Sequence, residues 1–178
     1  MSKQISDKQP KLRDDWETFL DEFAHESDRA SAVLGAAYLD ELLEKLIASF
    51  LIDDKKAIDI LLSPSKPYAP LSSFSAKIIM AYCLGLIDKI QYDDLNITKR
   101  IRNLFAHGLH GLDFQDEKIS SEIKKLKTHR MAKIDKDARG EFVLTVAILS
   151  TDIEIQAREA LEQKRSIPNH YGFIDAQK

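Results

Sequence analysis

Apolar residues return every three or four positions along most of this chain, and little interrupts them. Phe142, Val146, Leu149, Ile153, Ala157 and Ala160 keep that period for about six turns between Glu141 and Lys164. Val143, Val146 and Ile148 are β-branched, so a strand is the competing reading there. Length favours the helix, because strands run to about 5–6 residues. A second long run stretches from Ser27 or Asp28, either able to cap it, to about Leu51, with Leu39, Leu42, Leu43, Leu46, Ile47 and Phe50 as its stripe. Its first half, Ala30 to Ala37, is small or apolar almost all round, which predicts burial on several sides and close approach by a neighbour.

Shorter segments repeat the pattern. Trp16, Phe19, Leu20 and Phe23 predict an amphipathic helix over 12–25, with Asp14 and Asp15 in its first turn. Asp53 and Asp54 open a short helix with Ala57, Ile58, Leu61 and Leu62 inward. Pro64, Pro67 and Pro70 force an extended connection. Ser72 or Ser73 caps a helix carrying Phe74, Ile78, Ile79, Tyr82 and Cys83, ended or bent by Gly85. Leu95, Ile97, Ile101, Leu104 and Phe105 mark another, stopped by Gly108, and Ile119, Ile123 and Leu126 a modest one. The sum is an all-α, single-domain helical bundle of about seven helices. Residues 11–166 form it, with 1–10 a disordered N-terminal tail and 167–178 a loosely ordered C-terminal one.

A chain of 178 residues can bury a core without disulfides or metals. Its start is polar and unlike a secretory signal, and no apolar run approaches the ~20 residues that span a bilayer. The lone Cys83 sits in an apolar segment, so it reads as a small buried hydrophobe in a reducing cytosol, with a catalytic Cys–His pairing the lesser alternative. The expected location is cytoplasmic, and no cofactor or metal is expected. A formal net charge of −3 gives no global attraction to nucleic acid. The charge is uneven: acids crowd residues 14–28, and Lys124, Lys125, Lys127, Arg130, Lys133, Lys136 and Arg139 crowd 124–139. The plain reading of each is a solvated surface. The basic stretch is also the available nucleic-acid or partner contact.

The chemically suggestive stretch is Arg102-Asn103-Leu104-Phe105-Ala106-His107, followed by Gly108. On a helix Asn103 and His107 share a face with Lys99, and Arg102 is turned by ~100°. A histidine in the last turn is stabilised as imidazolium and titrates near neutrality. Beside an arginine that forks a phosphate, it has the equipment of a general acid or base. The structural alternative is a polar cluster: His107 bonds the last carbonyls, Asn103 pairs with a neighbouring helix, and Arg102 meets Asp40, Glu44 or another carboxylate.

Arg-Asn-x3-His near a helix end resembles the Arg-x4-6-His signature of the HEPN superfamily, all-α domains that include dimeric, metal-independent ribonucleases. A wider resemblance covers about residues 20–160. Tyr38-Leu39-Asp40-Glu41-Leu42-Leu43, Pro70 through Ile78, Ala81 through Ile87, Asp94-Leu95-Asn96 and Ile101 through His107 are similar to the mannitol operon repressor (MtlR-like) family. That resemblance implies a cytosolic, all-helical negative regulator of transcription. It does not imply control of mannitol genes in particular.

The best candidate for a DNA-reading element is a helix-turn-helix from Ile79 to Arg102, turning at Gly85. Gln91 and Asp94 stand where its second helix should press apolar residues, and Asp93-Asp94, read as that helix's start, would oppose phosphates. The basic stretch includes Asp135 and Asp137 and no aromatic residue for base stacking. Direct DNA binding is therefore expected to be weak. Two functions are carried forward. One is a regulator working through another protein, with a homodimer among the assemblies open to it. The other is a HEPN-type ribonuclease in which His107 is acid or base, Arg102 holds the phosphate and Asn103 assists.

Overall fold

The computed structural model describes residues 23, 26–63, 65, 66, 68–108, 111–133 and 136–168. They form one all-helical bundle of α1 (Asp28–Phe50), α2 (Lys55–Leu62), α3 (Phe74–Cys83), α4 (Lys89–His107), α5 (Glu117–Ile123), a 3-10 turn (Thr128–Ala132) and α6 (Ala138–Glu162). The helix expected over 12–25, the expected tail 1–10 and nearly all of 167–178 lie outside the described residues. No helix among the described residues is long and apolar enough to cross a membrane.

Side-chain caps set where these helices begin. Ser27 accepts from Ala30 N, Asp54 from Lys56 and Ala57 N, Ser73 from Ala76 N, and Asp137 from Gly140 N. Gly85 ends the α3 turn with φ +71°, a conformation that a side chain resists. The β-branched run at 142–148 is helical, because its stripe Phe142, Val146, Leu149 and Ile153 is buried on one side.

The two long helices lie side by side and parallel. Arg139 pairs with Asp28 at their N-terminal ends, Tyr38 donates to Glu154 at 3.2 Å midway, and Arg165 N donates to Phe50 O at 2.9 Å beyond their C-terminal ends. The small residues Ser31, Ala32, Gly35 and Ala36 are buried, as a close neighbour requires. Helix α4 is central and packs on α1, α3, α5, α6 and the 3-10 turn. Arg29 of α1 donates to Gly108 O at 2.6 Å, which ties the C-terminal end of α4 to the N-terminal end of α1. Phe105, Phe114 and Phe142 form a buried aromatic row, with ring centres 5.1 and 5.2 Å apart.

Helix α3 faces differently from its expected orientation. Its buried stripe is Phe74, Lys77, Ile78 and Ala81. Cys83, two positions past Ala81, falls on the outer side and is exposed, which corrects its expected burial. Ile79 and Tyr82 are exposed for the same reason.

Candidate functional site

Helix α4 carries the residues that the sequence brings forward. Asp88 caps it in a reciprocal box: Gln91 N donates to Asp88 at 2.8 Å and Asp88 N donates to Gln91 at 2.9 Å. The helix therefore starts one turn before Asp93. Its buried side comprises Leu95, Ile97, Thr98, Ile101 and Phe105, together with the polar Gln91 and Asp94. Asp94 is fully buried, and its carboxylate accepts from Lys127 N at 2.9 Å and Thr128 N at 2.7 Å. It caps the 3-10 turn from a neighbouring helix. Gln91 also accepts from Gln156 of α6 at 2.9 Å.

Asn103 and His107, one turn apart, line an open groove between α4 and α5 of about 860 Å³, floored by Leu104, Leu112 and Ile119. Gly108 ends the helix against Leu112, whose side chain would have to move aside for a Cβ at this position. His107 is exposed, and neither its ring nor the Asn103 amide has a hydrogen-bond partner among the described residues. The group that serves the C-terminal end of α4 is Arg29, through Gly108 O. Asn103→Ala and His107→Ala are each expected to change stability by no more than about 0.5 kcal/mol. Thermal melting checks this, and a loss above 1 kcal/mol in either variant would assign that side chain a buried structural partner.

Arg102 lies apart from that groove, five positions and thus about 140° from His107 around the helix. Its charge acts on Asp40 of α1. Asp40 and Glu44 hold a side chain that the sequence reading did not single out: Lys77, only 2% exposed, donates to Glu44 at 2.7 Å and lies 3.1 Å from Asp40. Burial raises the Asp40 carboxyl above its ordinary range, opposed by the neighbouring Lys77. The structure thus brings Asp40, Glu44 and Lys77 together, with Arg102 beside them, and sets Asn103 and His107 on another side of α4.

The basic stretch is partly neutralised. Glu122 pairs with Arg100 at 2.8 Å and with Lys125, Lys127 lies 3.5 Å from Asp93, Arg130 donates to Lys124 O at 2.6 Å, and Arg139 pairs with Asp28. Lys124, Lys133 and Lys136 are exposed, and no ion pair is seen for them among the described residues. No group of three or more His, Cys, Asp or Glu side chains suited to a metal occurs among the described residues.

Comparison with known proteins places these features in context. A family model described as mannitol repressor matches residues 22–157. The X-ray structure of an MtlR–HPr complex from Escherichia coli contains a chain similar in fold, with a TM-score of 0.63 and 18% identity, over 78% of this chain and 97% of that one. A crystal structure of a possible transcriptional regulator, YggD from Shigella flexneri 2a, aligns with a TM-score of 0.55 and 15% identity over 90% of this chain and 99% of that one. Among curated proteins, no sequence matches significantly.

Proposed function

Because the chain belongs to the mannitol repressor family, we propose that it is a negative regulator of transcription that acts in the cytosol through another protein and reads no DNA sequence itself. The observation that carries this reading is the position of α4. As the second helix after the Gly85 turn, it is the element that would have to enter a major groove. Its apolar residues Leu95, Ile97, Ile101 and Phe105 are core instead, and four other helices and the 3-10 turn pack around it. The side chains it leaves accessible, Asp93 and Asn96 in one groove and Asn103 and His107 in another, are recessed between elements rather than presented on one protruding face, and sequence is read at base edges rather than at phosphates.

The solved MtlR structure that shares this fold is a complex with HPr. An HPr protein from the same cell is therefore the first partner to test. Calorimetric titration of the purified chain with HPr is expected to give saturable binding. Alone, the chain is expected to bind promoter fragments weakly, without preference for sequence, and with an affinity that falls steeply as salt rises. Tight, sequence-specific retention of one fragment by the chain alone would overturn the proposal. Loss of an EDTA-resistant RNA-cleaving activity on His107→Ala would replace it with the ribonuclease reading.

A further inference from the structure

We propose that the cleft beside Tyr92, between α4 and the segment that follows α5, binds a small organic phosphate monoester. This goes beyond the regulator reading and does not depend on it. The cleft measures about 390 Å³ and is lined by Tyr92, Asp93, Asn96, Arg100, Lys125 and Lys127. Its ion pairs are arranged unusually, because each surface carboxylate is shared by two cations. Asp93 pairs with Lys89 at 2.5 Å and lies 3.5 Å from Lys127. Glu122 pairs with Arg100 at 2.8 Å and with Lys125. Lys99 donates to Asn96 at 3.1 Å and to Ser75 at 2.8 Å. Beneath them the buried Asp94 carboxylate is directed at the backbone N–H groups of Lys127 and Thr128. Among the charged groups that line the cleft and their ion-pair partners, Arg100, Lys125, Lys127 and Lys89 face Asp93 and Glu122, an excess of two positive charges.

Three features select the ligand. A phosphate monoester carries close to two negative charges at neutral pH, which matches the excess. The volume suits a small molecule rather than a nucleic-acid strand, which needs a long cationic track. The shared carboxylates also gather these cations around one cleft before anything binds. Asp93 and Glu122 are held below the ordinary carboxylate range by these cations, Asp93 chiefly by Lys89, so the frame stays ionised near neutrality. Tyr92, its ring centre 4.5 Å from that of Tyr82 and its face under Lys89, is a fixed wall for the organic part.

The test is a titration of the full chain with glycerol 1-phosphate, followed by backbone amide NMR shifts at constant ionic strength. Saturable shifts confined to about residues 92–100 and 124–128 are expected, with glycerol alone producing none. The double variant Lys125→Gln with Lys127→Gln changes two side chains that are 55% and 52% exposed, so the fold should survive, as its melting temperature will report. Its affinity is expected to fall by roughly fivefold or more, as loss of charge-assisted contacts implies. Equal affinity in the double variant would overturn the site. So would unsaturated shifts spread over Lys133 and Lys136, or saturation of the same amides by an RNA oligonucleotide or an acidic peptide but not by glycerol 1-phosphate.

Discussion

Replacing both acids that hold Lys77, as Asp40→Asn with Glu44→Gln, is expected to cost about 3–5 kcal/mol of stability, the penalty for stranding a buried charge. For a chain of this size that lowers the melting temperature by roughly 6–20 °C. The ammonium of Lys77 is almost wholly shielded from solvent, at 3% exposure, whereas the two carboxylates are about one-third exposed. Neutralising the acids therefore leaves the cation as the group without a counter-charge or bulk water, and Arg102 adds a second positive charge nearby. Adding Lys77→Met to the double variant keeps most of the stem's volume and removes the charge. The triple variant should regain most of the loss, since hydrophobic replacements of buried ion clusters are often neutral or stabilising. Urea unfolding of the three proteins checks the order. If the double variant melts with the wild type, water reaches Lys77 and the cluster is not what fixes α3 on α1.

That cluster also marks the limit of what a sequence alone records. Asp40, Glu44 and Arg102 were legible as polar groups one helical face could gather, but Lys77, flanked by Ala76 and Ile78, reads as an ordinary solvent-facing lysine. What buries it is a pair of acids 33 and 37 positions earlier, and no local pattern records that. The buried face of helix α3 is hidden from the sequence for a related reason. Ile78, Ile79, Met80, Ala81, Tyr82 and Cys83 are apolar all round, so periodicity cannot choose a face, and only packing on α1 and α4 does. By contrast, the second half of α1 and the stripe of α6 repeat their large apolar residues on one side, which periodicity can read. The basic stretch shows the limit of counting charge: Glu122, Asp93 and Asp28 engage much of it, and two of those acids lie far away in sequence. Gln91 and Asp94 looked like polar intrusions on a helix that should be apolar. They are buried connections, one completing the Asp88 cap and the other holding the 3-10 turn.

Asp94→Ala is the second change with a large expected effect, about 3 kcal/mol. The carboxylate accepts two backbone N–H groups at 2.7 and 2.9 Å in a fully buried position. Each hydrogen bond to a charged acceptor contributes about 1.5–3 kcal/mol, and alanine leaves both donors unsatisfied. Relief from burying the carboxylate offsets part of that, which sets the expected loss below the simple sum. The neighbouring Asp93 gives an internal control. Its pairs with Lys89 and Lys127 are at the surface, where solvent screens such contacts. Asp93→Ala should therefore lie within about 0.5 kcal/mol of wild type while leaving the cleft's cations in excess. Amide exchange localises the effect: Lys127 and Thr128 should lose protection in Asp94→Ala and keep it in Asp93→Ala. Adjacent aspartates with such different costs would place Asp94 among the supports of the core and Asp93 on the accessible side of α4. Equal stability of the two variants would remove that distinction and show that the Asp94 contacts do not hold the 3-10 turn on α4.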